Sequence, residues 1–288
     1  MKDLLVYLAL RAGVGLVGFL PGSAARGLGR TGGRVWSSMA SGRRSMAKRH
    51  MGRVIGEEAE SGDPVMISYG RYWAEAFWAR ARRIPEMLET STIDGLDLVL
   101  EARDVGKGMI YALPHMGNWE VAAPVAISHG IPVVAVAEKL SNERITDWFT
   151  EMRAAFGIEI VLATGGTEVM RKLEAALKAN KAVALLSDRD LKGRGVEVEF
   201  FGETTTLPPG PATLAIRNDA PLFPVASYFN GEGHHVVVKP AIPVPEEGTR
   251  SEKVRAMTQT MAHEFEGLIR EAPDQWHLVV PNWPSDRE

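Results

Sequence analysis

The chain has 288 residues, 45% hydrophobic and 24% charged, with a net charge of −3 and no cysteine. That is ordinary for a globular protein with a substantial core, and it excludes disulfides, thiolate metal sites and a cysteine nucleophile. Residues 1–83 hold 14 Lys/Arg against six Asp/Glu, a net +8, which leaves −11 for the remainder. No internal repeat, low-complexity tract or Pro/Gly/Ser linker divides the chain, so it reads as a single domain over 1–288.

The first element is an apolar run over residues 4–20, broken only by Arg11 and ended by Pro21-Gly22. Its 17 residues lie at the lower limit for a membrane span, and an arginine near the middle would be costly there. A basic stretch follows at once, with Arg26, Arg30, Arg34, Arg43, Arg44, Lys48, Arg49 and Arg53 and no acid among them. Apolar helix then basic stretch is the order expected of a segment lying on an anionic membrane surface, so 1–55 reads as a membrane-associating N-terminal part. The competing reading packs this helix against the rest of the domain. Nucleic acid is disfavoured, because the arginines lack an aromatic stacking platform. No secretory signal peptide is expected, since a basic n-region and a small-residue cleavage site are missing. The run from Gly13 to Gly18 matches G-x-G-x-x-G but lacks a following helix and the acidic residue about 20 positions on, so a dinucleotide site is rejected.

Tyr69 to Arg83 is helical in pattern, with Tyr69, Tyr72, Trp73, Ala76, Phe77 and Arg80 on one face, a stripe that reads as core. Beyond it, helical stretches near 94–104, 118–130, 142–156, 166–180, 209–219 and 251–271 alternate with strands near 108–113, 131–137, 158–162, 181–187, 195–201, 222–229 and 234–239. This predicts an α/β fold with a central mixed β-sheet flanked by helices, parallel where helices intervene. Asn230-Gly231 predicts an antiparallel hairpin between the last two strands.

Ligands in such folds sit at the carboxyl ends of strands. There the sequence places His115 in YALPHMGNWE (111–120) and Asp188 in SDRD (187–190). Asn118 is a candidate helix cap, and Pro124 is the weak point of the helix that would follow. His115 and Glu120 are five residues apart, about 140° around a single helix, so the turn must fold His115 back if they act together. A carboxylate, Glu120 or Asp188, would then fix the tautomer of a histidine base. Arg189 is suited to a phosphate or an anionic intermediate. His50, His234-His235 and His263 lack H-E-x-x-H spacing and read as structural or solvated, and no metal site is expected.

The segments HMGNWE, SDRD, GVEVEFFGE and LPPGPATLA, with the tail PDQWHL and NWP, resemble the lysophospholipid/lipid A biosynthesis acyltransferase superfamily. The pattern is closest to its actinobacterial phosphatidylinositol mannoside acyltransferases, and the likeness runs roughly from residue 66 to the end. The resemblance implies a glycerol-3-phosphate acyltransferase-like fold, an acyl-CoA co-substrate without other cofactor, and a mannosylated phosphatidylinositol acceptor. It also implies a peripheral, monotopic position on the cytoplasmic face of the plasma membrane. His115, Glu120 and Asp188 would be catalytic, and Asn118, Trp119, Glu138, Arg153, Arg189 and Asp190 would bind substrate. Amides around Gly117–Trp119 would meet the oxyanion. Without a cysteine or a G-x-S-x-G elbow, direct transfer is expected rather than an acyl-enzyme. The alternatives are a lipid A-type enzyme using acyl-carrier protein, an acyl-CoA thioesterase, and a silent acyl-lipid-binding protein.

Overall fold

The computed structural model describes residues 2–79, 83–164, 167–190 and 193–287. Four helices come first: α1 (Lys2–Val17), α2 (Gly22–Met39), α3 (Ser41–Ile55) and α4 (Asp63–Trp78). Then follow α5 (Ile84–Glu89), β1 (Ser91–Asp94), α6 (Leu96–Val105), β2 (Met109–Leu113), α7 (Ala122–Ser128), β3 (Val133–Ala137), α8 (Glu143–Ala154) and β4 (Glu159–Leu162). The last part holds α9 (Thr167–Lys178), β5 (Ala182–Leu186), β6 (Val196–Phe200), β7 (Glu203–Leu207), α10 (Gly210–Asn218), β8 (Leu222–Asn230), β9 (Gly233–Val238) and α11 (Arg250–Glu271).

Seven strands form the central sheet in the order β1-β9-β8-β2-β5-β3-β4. Neighbours are parallel except β8 and β9, which form the antiparallel hairpin expected around Asn230-Gly231. The centre is apolar on both faces because helices cover both. In β2, Ile110 and Ala112 face the layer of α9, α10 and α11, while Met109, Tyr111 and Leu113 face that of α5, α6 and α7. β6 and β7 pair outside this sheet as a separate antiparallel ribbon. β1, α5 and β7 have no counterpart in the sequence reading; β1 and β7 are polar four- and five-residue strands with too little apolar pattern to detect.

The helix expected over 118–130 is divided. A 3-10 turn spans Trp119–Val121, and α7 starts only at Ala122. Pro124 therefore sits in the first helical turn, where its missing N–H costs nothing. Gly13 and Gly15 lie inside α1 with open space around them, not between a strand and a helix. Arg80, the last member of the aromatic stripe, lies outside the described residues.

α2 is fastened to α4 by a glycine seam. A Cβ on Gly29 would stand 2.5 Å from the Ala74 Cβ, one on Gly33 2.5 Å from the Met66 carbonyl oxygen, and one on Gly70 2.4 Å from the Gly29 carbonyl oxygen. Only glycine lets the two backbones approach this closely. The basic stretch is partly consumed inside the molecule. Arg26 and Arg30 pair with Glu232, and Arg53 pairs with Glu203 and Asp286. Among the described residues no helix is long and apolar enough to cross a membrane.

Candidate active site

β2 and β5 are adjacent, parallel and in register, with Leu113 opposite Leu186. Two residues beyond each lie His115 and Asp188, so the sheet itself brings them together. His115 Nδ1 is 2.6 Å from Asp188 Oδ1, and the His115 backbone N–H donates to Oδ2 at 3.0 Å. Trp276 Nε1 donates to the same Oδ2 at 2.8 Å. Asp188 is fully buried. Burial alone would raise its carboxyl, but the His115 imidazole and these donors outweigh it and hold the group down at about 2. With Nδ1 engaged, Nε2 is the nitrogen left to meet a hydroxyl.

Glu120 does not reach His115. It accepts three hydrogen bonds from Arg153 on α8, from Nε at 3.1 Å to each oxygen and from Nη2 at 2.5 Å, and a longer one from the Tyr72 hydroxyl at 3.4 Å. Of the two carboxylates left open by the sequence, Asp188 is the one that contacts the imidazole. Asn118 makes no side-chain cap. It is buried, and its amide donates to Glu75 Oε2 at 2.9 Å, while Glu75 also accepts from Arg71 and faces His234 Nε2 at 2.8 Å. Asp190 accepts from the Gly195 amide at 2.5 Å and the Thr206 hydroxyl at 3.0 Å, which ties the SDRD turn to the β6–β7 ribbon. Neither Asn118 nor Asp190 lines the cleft around His115. Gly117 adopts φ +49°, and a Cβ there would lie 2.2 Å from the Ser227 carbonyl oxygen. Its amide, expected near an oxyanion, donates to the Gln275 carbonyl at 2.9 Å instead.

His115 lies on the floor of a cleft of about 290 Å³ lined also by Arg43, Tyr69, Tyr72, Trp73, Trp119, Glu138, Arg153, Arg189 and His277. Glu138 follows β3, the neighbour of β5, which places it at the same end of the sheet. Trp119 stacks on Tyr72 at 4.0 Å and meets His115 edge-on at 5.2 Å. An apolar slot of about 70 Å³ adjoins the cleft, sharing Trp119, Val136, Ala137, Arg153 and Leu186 and continuing between Tyr111, Val133, Ile158 and Ile160. The aromatic stripe on α4 is thus not simply core, because Tyr69, Tyr72 and Trp73 form one wall of the cleft.

The model of the bacterial lipid A biosynthesis acyltransferase family matches residues 3–285. The chain belongs to that family. Within it, the acyltransferase is 37% identical to the phosphatidylinositol mannoside acyltransferase of Mycolicibacterium smegmatis, over 97% of this chain and 91% of that protein. It is 35% identical to the Mycobacterium tuberculosis H37Rv protein of the same name, over 96% and 88%. A lipid A biosynthesis acyltransferase of Haemophilus influenzae is 26% identical over 65% of this chain and 57% of its own length.

The acyltransferase holds a second histidine in the cleft that sequence reasoning missed, because it comes from the tail, far from the other site residues. His277 is buried, stacks on Tyr69 at 4.7 Å and sits 2.9 Å from the Ser68 hydroxyl. Burial first, then the nearby His115, lowers its imidazole to about 3 from 6.5, against the opposite pull of Asp188. A depressed histidine leaves the folded state neutral while the unfolded state takes up a proton, so stability falls as pH drops below 6.5 and continues to fall towards 3. The expected slope is about 1.4 kcal/mol per pH unit. Asp188 and Glu75, both lowered to about 2, contribute losses only below their ordinary values of 3.8 and 4.5. Denaturant melts between pH 6.5 and 4.5 should therefore show a steeper decline for wild type than for His277→Gln. Equal slopes would remove His277 as the cause.

His50 and His234 are structural. His50 is buried, with Nδ1 2.8 Å from the Leu278 carbonyl oxygen and Nε2 3.1 Å from Asp286. Among the described residues no group of His, Asp or Glu is arranged to hold a metal ion.

Proposed function

We propose that this acyltransferase moves a fatty acyl group from acyl-CoA to a mannose hydroxyl of a phosphatidylinositol mannoside, on a glycerol-3-phosphate acyltransferase-like fold. The observation that carries the chemistry is the His115–Asp188 pair at the floor of the cleft, with an apolar slot on one side and aromatic and cationic groups on the other. The identity to phosphatidylinositol mannoside acyltransferases over nearly the whole chain supports the acceptor.

In this reading His115 Nε2 takes the proton from the acceptor hydroxyl as its oxygen attacks the thioester carbonyl carbon. Asp188 holds the productive tautomer and steadies the imidazolium. The tetrahedral intermediate collapses, the C–S bond breaks, and the departing coenzyme A thiolate takes the proton back from the imidazolium. The apolar slot receives the first part of the acyl chain, and Trp119 forms the wall shared by slot and cleft. Arg189 and Arg43 meet phosphate groups, while Glu138 and the aromatic wall face the sugar. Arg153, neutralised by Glu120, fixes the geometry between slot and cleft.

Peripheral binding to the cytoplasmic face of the plasma membrane is supported by the exposed side chains of Leu5, Leu8, Leu16, Phe19, Val35 and Met39, next to arginines. Replacing Leu5, Leu8 and Phe19 by glutamate should abolish sedimentation with anionic vesicles and leave transfer to a detergent-solubilised acceptor intact. Unchanged sedimentation would remove the N-terminal helices as the contact.

The function is tested by following free thiol released from palmitoyl-CoA with and without a phosphatidylinositol mannoside. Release that requires the acceptor is the expected result. Equal release without it would make the protein a thioesterase. Transfer seen only from acyl-carrier protein would overturn the donor.

A further inference from the structure

The chain after α11 returns along the cleft as a strap, lining it with His277, Val279 and Val280, and it touches both members of the His115–Asp188 pair. The Gln275 carbonyl accepts the Gly117 amide, and the Gln275 side chain brackets the Phe229 backbone, accepting from N–H at 2.7 Å and donating to the carbonyl at 3.2 Å. Trp276 pairs with Met116 in an antiparallel bridge, and the His277 amide donates to the His115 carbonyl at 2.8 Å. Asn282 Nδ2 donates to the Asp188 carbonyl at 3.2 Å. The Trp276 ring is itself fixed, with Phe200, Phe201, Trp283 and His50 between 5.7 and 6.2 Å around it.

We propose that this strap is part of the catalytic apparatus, with Trp276 and Asn282 as positioning residues that hold Asp188 against His115. The proposal rests on the reading of His115–Asp188 as the base pair. A buried carboxylate divides its charge among its donors. The indole N–H on Oδ2 draws charge from Oδ1, the oxygen that faces the imidazole, and blocks rotation of the carboxylate. Without that donor, Oδ1 holds the imidazolium proton more firmly and the pair loses its fixed geometry. The other charged and titratable groups around the pair stay in place: His277 on the strap, His50 on α3 behind Trp276, Arg189 beside Asp188, and Arg43, Glu138 and Arg153 across the cleft.

Trp276→Phe keeps an aromatic ring among Phe200, Phe201 and Trp283 and deletes the indole N–H. Trp283→Phe is the control, since it deletes a buried indole that donates to the Phe200 carbonyl and not to Asp188. Asn282→Ala removes the second tie with little core, as the residue is half-buried. Trp276→Phe should lower kcat about tenfold at unchanged KM. The acid limb of its kcat/KM profile should move to higher pH by about half a unit. Trp283→Phe should lose stability without moving that limb, and Asn282→Ala should lower kcat about threefold with only the modest fall in melting temperature of one orphaned carbonyl. Wild-type kcat and an unmoved acid limb in Trp276→Phe would overturn the proposal while His115→Ala remained inactive. Turnover by His115→Ala would instead overturn the base assignment. Should Trp276→Phe fail to fold, wild-type kcat in Asn282→Ala decides against the strap.

Discussion

Alanine at His115 is expected to lower acyl transfer about a thousandfold, the scale of a lost general base. The fold should survive, because the side chain lies at a strand end on the cleft floor and contributes little core. Asp188 Oδ1 loses its partner, but Oδ2 keeps the Trp276 indole and the backbone N–H of residue 115. The stability cost is therefore that of one unsatisfied buried acceptor, about 1–3 kcal/mol. Thiol release measured beside far-ultraviolet circular dichroism checks both halves of the expectation. Wild-type turnover by the folded variant would eliminate His115 as the base.

Asp188→Asn should be nearly as damaging to rate, about a hundredfold or more, because an amide can present its NH2 to Nδ1 and impose the wrong tautomer. It should also unfold more easily. The native carboxyl stands at about 2 against its ordinary 3.8, so its ionised form adds stability that is complete above 3.8 and disappears as pH falls through 2. That linkage amounts to about 2 kcal/mol at neutral pH. Glu120→Gln provides the contrast. A glutamine can still accept from Arg153 and Tyr72, so its effect should fall on KM and not on the acid limb of the rate profile. The opposite pattern, with Asp188→Asn near wild type and Glu120→Gln inactive, would reverse which carboxylate serves the histidine.

The strand ends were the legible part of this sequence. Apolar runs with fixed boundaries locate β2 and β5, and the rule that sites form beyond such ends picks out His115 and Asp188. Glu120 was misleading as a partner because spacing along the chain says nothing of rotation about the 3-10 turn, which carries it towards α8. Asn118 and Asp190 are polar residues beside the motif that hydrogen-bond Glu75 and the β6–β7 ribbon and are absent from the cleft lining, a difference set by side-chain direction. Tyr69 and Tyr72 read as core because a helix stripe has the same period whether it faces a core or a cleft. Arg43 stands in the basic stretch and His277 in the tail motif, but nothing local points either of them to the cleft, since α3 and the tail reach it only through long-range packing. The antiparallel ribbon β6–β7 was half seen, its second strand being too polar to register.

The glycine seam between α2 and α4 gives the molecule a fixed depth gauge. Backbone against backbone leaves no side-chain cushion, and a Cβ at Gly29, Gly33 or Gly70 would push α2 off α4. The outer face of α2 carries Leu28, Val35 and Met39, while α4 offers Tyr69, Tyr72 and Trp73 to the cleft. Whatever surface supports the outer face therefore sets the height of the cleft mouth above it, as a fixed foot sets the height of a tool. Widening that seam by one methyl group would raise or tilt the mouth without altering any residue that lines it.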